Sequence, residues 1–158
     1  MLAGFAEALQ ASPFGAWAGQ SPYAYPVANL VHLLGLVMLV GGIGLVDLRL
    51  AGAFRSLDPS ALSRVLTPIA IAGLLLMVPS GFIMFAADAE SLAGSATFQR
   101  KLVLIALALT NAVLFRWSWG KRLGRWEPSP PLGGRLMAGT SLLLWLAVAG
   151  HGRMIAYS

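Results

Sequence analysis

From residue 8 to residue 46 the chain carries no charged side chain, and three more uncharged apolar runs follow it, at 65–87, 102–115 and 136–150. Runs of this length suit the hydrocarbon core of a bilayer. Every backbone N–H and C=O there must be bonded within the protein, so each run is read as a helix. Composition agrees: 58% of residues are hydrophobic, 11% are charged, and the mean hydropathy is +0.76. Soluble domains carry about 25% charged residues. The predicted fold is all-α, a four-helix transmembrane bundle over 26–158. Its spans lie at about 26–50, 64–87, 98–118 and 134–157, behind a short amphipathic interfacial segment at 1–25. The third and fourth uncharged cores are short, so basic residues at their ends must snorkel toward the headgroups.

The absence of cysteine excludes disulfides, thiolate metal sites and iron–sulfur clusters. The net charge of +5 is not a nucleic-acid signal, because the basic residues sit in short loops beside apolar segments. The first twenty residues contain no Lys or Arg, and Glu7, Gln10 and Pro13 interrupt their apolar character, so they are not read as a signal peptide. They are expected to form short amphipathic turns on the membrane surface, with Ser12 capping a turn that starts at Pro13. Eight basic residues (Arg49, Arg55, Arg64, Arg116, Lys121, Arg122, Arg125 and Arg135) fall on one side of the bundle, against Arg100, Lys101 and Arg153 on the other. The positive-inside rule makes the first side cytoplasmic. A bacterial inner-membrane protein with both termini periplasmic is the expectation.

The chain has two histidines, His32 and His151. His32 lies six residues after Pro26 and His151 seven before the C-terminus. At 1.5 Å per residue, both then lie roughly 9–10 Å below the outer surface. Ionisable groups inside a membrane are costly and usually functional. Two imidazoles at one depth on helices one and four suit the two axial positions of one haem b. Gly35, Gly150 and Gly152 would clear room for the macrocycle, and Arg153, Arg100 and Lys101 would meet its propionates. Pro79 and Gly81 are expected to kink the second helix.

Plainer readings stand beside these. A membrane histidine can simply hydrogen-bond across a helix interface. Met38, Met77, Met84 and Met154 are soft enough for copper, yet methionine in an apolar chain is more often filler. The Gly-Gly-Ile-Gly stretch from Gly41 reads as helix packing. Asp47 is expected to pair with a nearby arginine or the headgroups. Asn111 is expected to make an interhelical hydrogen bond, with a weaker quinone or proton role. Trp117, Trp119 and Trp126 are expected to form an interfacial belt.

The motifs Tyr25-Pro26, His32-Leu33-Leu34-Gly35, Asp47-Leu48-Arg49-Leu50 and the closing Gly-Arg-Met-Ile-Ala-Tyr carry a resemblance over most of the chain. It resembles a family of small bacterial inner-membrane proteins known as a domain of unknown function, which implies four spans and no established activity. More loosely it is similar to four-helix b-type cytochromes and to the membrane part of copper-resistance D proteins. Those cytochromes commonly hold two haems with four histidines; two histidines here allow one. The expected function is electron transfer between a membrane quinol and a periplasmic or membrane redox protein, within a larger complex or homo-oligomer surrounded by membrane lipid. A copper-handling protein and a non-redox assembly subunit are the alternatives.

Overall fold

The computed structural model describes residues 2–126 and 130–157. It contains seven α-helices and, among the described residues, no strand. Two short helices, α1 (Leu2–Gln10) and α2 (Pro13–Gln20), lead into α3 (Ala24–Ala51). Then come α4 (Pro59–Ala87), the short α5 (Ala89–Gly94), α6 (Ala96–Trp119), a 3₁₀ segment (Gly120–Arg125), α7 (Leu132–Met154) and a final 3₁₀ turn (Ile155–Tyr157). Helices α3, α4, α6 and α7 are long and apolar enough to cross a membrane. The first three exceed the expected spans by a few residues, while α7 starts two residues earlier and ends at Met154, before the expected 157; α5 and the two 3₁₀ pieces were not anticipated.

Local signals fix the ends. Ser12 caps α2 by accepting from the Gly15 N–H at 3.1 Å, with Pro13 in the first turn. Asp58 caps α4 through the N–H groups of Ser60 and Ala61, and Ser95 caps α6 through Phe98 N–H. Gly52 ends α3 at φ +119°, a left-handed conformation that glycine adopts without a Cβ penalty. Pro68 and Pro79 lie inside α4, which remains one continuous helix from Pro59 to Ala87.

The four long helices are arranged α4–α3–α7–α6. α3 packs along α4 and α7, and α7 along α6, while α4 and α6 make no extensive contact. Glycines set the α3–α4 seam. A Cβ on Gly35 would stand 2.6 Å from Gly73 O, one on Gly73 2.5 Å from Gly35 O, and one on Gly42 2.9 Å from Leu66 O. Backbone meets backbone there, as small residues permit in membranes. Gly44 turns to Leu142 on α7, so packing accounts for Gly42 and Gly44 as expected. Asn111 Nδ2 donates to Met137 O at 3.1 Å, the expected hydrogen bond between α6 and α7.

The N-terminal helices fold back onto the protein: α1 packs on α5 and α2 on α4, with Ala6, Ala89 and Ala93 buried between them. At the opposite end Trp126 is a core residue, 6% exposed, edge-on to Phe115 and Trp119 and against Gly134. Of the three tryptophans expected in a belt, Trp117 is the lipid-facing one, at 84% exposed. Trp126, directly after the 3₁₀ segment, turns inward onto Phe115, Trp119 and Gly134, which a linear reading could not anticipate.

Candidate functional site

The bundle has a histidine end and an Asp47 end. At the histidine end, His32 Nδ1 lies 3.1 Å from both Met77 O and Ser80 Oγ on α4, and its ring covers Gly81. Ser80 donates its own hydroxyl proton to Leu76 O, and a carbonyl only accepts, so the Nδ1 proton belongs to His32. His151 Nδ1 lies 3.0 Å from Ala147 O on its own helix and donates by the same logic. In each ring Nε2 is left as the second nitrogen.

The two rings face different seams. His32 points at α4, whereas His151 lines a surface groove with Gln99, Arg100, Val103 and Leu104 of α6. Equal depth along the axis did not fix rotation about it. Gly35, expected to clear room for a macrocycle, is occupied by Gly73 and Met77. Gly150 has open space at its Cα, and Gly152 faces the Lys101 ammonium. Lys101 is also within electrostatic reach of His32, so a cation lies close to both seams. Arg153 donates to Tyr157 Oη at 2.7 Å and stacks over that ring, an exposed pair at the rim. Arg100 lines the groove beside His151. Met77 is buried in the α3–α4 seam, and among the described residues no group of three His, Asp or Glu side chains could hold a metal ion. The structure thus sets His32 against α4 and His151 beside α6, each held through Nδ1.

The Asp47 end holds a cavity of about 500 Å³ between the two outer helices. Its walls include Leu39, Ile43 and Asp47 of α3, Thr67 and Leu74 of α4, Asn111 and Phe115 of α6, and Ser141 and Trp145 of α7. The surroundings are almost wholly apolar, with a few convergent polar groups, the usual make-up of a small-molecule site. Leu123 and Trp126, packed with Val46 and Leu50, close the end facing the loops. Ile71 and Val113 line the cavity yet are exposed, so it opens sideways toward lipid between α4 and α6.

Two buried polar atoms lack partners among the described residues: Asp47 Oδ2 and Trp145 Nε1. Both residues are 4% exposed and both line this cavity. Ser141 on α7 lies beside the Asp47 carboxyl, and both line the cavity. Asp47 was expected to pair with an arginine or the headgroups; among the described side chains no arginine bonds its Oδ2. Arg49, two residues on, is turned roughly 200° around the helix. Its guanidinium donates to Leu57 O and Arg55 O and clamps the α3–α4 loop instead. The cavity was not identified from sequence, although its residues Asp47 and Asn111 were singled out there, Asn111 with a weaker quinone or proton role. The available signals were an acidic residue four residues inside a long apolar helix, and Ser141 and Trp145 one turn apart on another.

Comparison with protein-family models, with curated proteins and with solved structures returns no match to this chain.

Proposed function

We propose that this multi-pass membrane protein takes a lipophilic ring compound with oxygen on opposite sides, a membrane quinone or its quinol, into the Asp47 cavity from the bilayer. One observation carries the reading: Asp47 and Trp145, which hold the two unpartnered buried polar atoms, both line the same lipid-accessible cavity. A buried polar atom without a partner costs about 1–3 kcal/mol. Trp145 Nε1 is a donor and requires an acceptor, and the Asp47 carboxyl lies beside Ser141, one turn of α7 (roughly 6 Å) away from Trp145. A six-membered ring carrying oxygens at its para positions offers one oxygen to each of two separate polar groups from a single position. A simple alkylammonium offers no acceptor for the indole, and a hydrocarbon offers neither group. The setting is a bacterial inner membrane with the Asp47 end cytoplasmic and both termini periplasmic. Its support is the division of eight basic residues against three.

The test is binding in nanodiscs, followed by titration calorimetry with a short-tailed benzoquinone, its quinol and an alkane of equal lipophilicity. The ring compounds should bind and the alkane should not. Trp145→Phe, which deletes the N–H, should weaken quinone binding roughly 3- to 10-fold. Equal affinity of the variant, or no binding of either redox form, would sink the reading.

A second reading has its own observation. Both histidines donate from Nδ1 to backbone carbonyls, the arrangement that orients a ligating imidazole and leaves Nε2 for the metal. A haem b held by His32 and His151 would supply one-electron chemistry toward a periplasmic or membrane redox partner. It requires both Nε2 atoms to reach one macrocycle, whereas the cavity is already open in the structure. A reduced-minus-oxidised optical spectrum lacking haem bands, from cells supplied with haem precursor, would remove it. Copper analysis of the same sample addresses the metal-handling alternative.

A further inference from the structure

We propose that the groove at the histidine end binds an anionic phospholipid, its phosphate held by Arg100 and Lys101 against the last turn of α7. This site is separate from the Asp47 cavity and does not rest on its reading. The groove has a volume of about 490 Å³ and is lined by Ala96, Gln99, Arg100, Val103, Leu104 and His151. Two cations of α6 reach the same stretch of α7. Arg100 shares the groove with His151, and the Lys101 ammonium lies 3.4 Å from where a Cβ on Gly152, the next residue, would stand. Among the described residues neither side chain makes a hydrogen bond or an ion pair. Lys101 is half-buried, and the group within its electrostatic reach across the bundle is His32, itself a base. A cation withdrawn from water in this way is costly until an anion meets it.

The protein's own groups at this end do not supply that anion. Glu7 lies on α1, Asp88 at the junction of α4 and α5, and Glu90 on α5; among the described residues none of them pairs with Arg100 or Lys101. Arg153 is committed to Tyr157, and the Gln99 amide donates to Ala93 O at 2.8 Å. The order of groups along α6 selects a lipid over other anions. Arg100 and Lys101 lie in the second turn of a span that starts at Ala96, close to the headgroup level. Val103 and Leu104 carry the groove about one turn deeper as apolar surface, and Leu107 is exposed beyond them. A phospholipid presents its charge and then its chain in this order. A free phosphate would leave the apolar half of the groove bare, and an acidic peptide would bring unpaired backbone into the bilayer. Basic groups beside a gap between spanning helices are a recurring kind of headgroup site.

The experiment is native mass spectrometry of the full chain, released from detergent micelles containing phosphatidylglycerol or phosphatidylcholine of equal chain length. Wild type should retain one phosphatidylglycerol roughly tenfold more tightly than phosphatidylcholine, and Arg100→Gln and Lys101→Gln should each weaken that retention roughly fivefold, the worth of one basic group at an anionic surface. Arg100→Lys keeps the charge and should keep the preference, which separates loss of the site from loss of the fold. Arg64→Gln removes an exposed cation from the first turns of α4, at the opposite end, and should change nothing. Phosphatidylglycerol with a photoreactive group on its chain should label the peptide that contains Val103 and Leu104. Equal retention of the two lipids overturns the proposal, as does undiminished retention in both glutamine variants or labelling confined to other helices. Displacement of the lipid by soluble glycerol phosphate also overturns it, because the groove would then be a site for a free anion.

Discussion

Replacing Asp47 with leucine should make the ligand-free protein more stable and abolish its ligand binding. The carboxyl is buried at 4% exposure, and Oδ2 has no partner. Removing that acceptor recovers about 1–3 kcal/mol of desolvation cost. The change also takes a polar neighbour from Ser141, although a serine within a helix can turn its hydroxyl back to the carbonyl one turn earlier. Leucine is somewhat larger, but here it borders a cavity of about 500 Å³ and has room to settle. Its burial adds to stability rather than straining the walls. The net is a gain of about 1–2 kcal/mol, or a rise of roughly 2–8 °C in Tm for a chain of this size. A thermal melt in detergent, followed by the emission of the buried tryptophans, would measure it. The same sample should show no calorimetric response to quinone or quinol. A fall in Tm would refute the reasoning, because it would mean that Asp47 is held by structural partners and that its free oxygen costs nothing. This opposition between stability and binding is the usual signature of a site kept at the expense of the fold.

Other parts of the molecule give sharper or simpler tests. Gly73→Ala places a Cβ 2.5 Å from Gly35 O, where backbone cannot yield as a side chain would; it should cost about 1–3 kcal/mol and appear as a lower Tm. Asp58, the exposed cap of α4, has its carboxyl held below the usual range, first by the Ser60 N–H and then by the Ser60 hydroxyl. A lowered folded value means that its stabilisation is present above the ordinary carboxylate range and lost as pH falls through the folded value, so the Asp58→Asn variant should lose part of the wild type's acid sensitivity in pH-dependent melts. Reporter fusions at Ser158 and near Gly124 should give opposite topological signals, the Gly124 site cytoplasmic; a reversed pair would invert the assigned orientation.

The helices were legible because hydropathy is a one-dimensional property and the bilayer reads it one residue at a time. The Ser12 cap and the Asn111 bond were legible for a similar reason: each is a polar residue whose neighbours in sequence already limit its partners. Rotation about the helix axis was not read, and the histidines show why it mattered. Gly35 and Gly42 lie seven apart and form the α4 seam, and His32 is three residues before Gly35 on the same face. Taken together, that spacing assigns His32 to α4, not to α7. The cavity was illegible for a different reason. It is a space between four helices, and its two key atoms are defined by what they fail to touch. Pro79 does not end α4, which runs on to Ala87.

The open α4–α6 side yields a last prediction, which tests whether ligand reaches Asp47 from the bilayer. A closed four-helix bundle would join its outer helices; here α3 and α7 hold the centre, while α4 and α6 make no extensive contact and share only the cavity's mouth. Ile71 on α4 and Val113 on α6 stand on either side of that mouth, half or more exposed. The chain has no cysteine of its own, so the Ile71→Cys, Val113→Cys pair can be bridged selectively by a short bifunctional maleimide. If ligand passes between α4 and α6, bridging should slow association and dissociation by a similar factor, leaving Kd nearly unchanged. This follows because a gate alters the barrier without altering the bound contacts. Stopped-flow quenching of tryptophan emission by quinone would give both rates, with each single-cysteine variant, labelled but not bridged, as the control. Unchanged rates in the bridged protein would mean that ligand passes elsewhere, through the loop end closed by Leu123 and Trp126. A Kd weakened with unchanged association would mean that the bridge had distorted the site instead of closing its access.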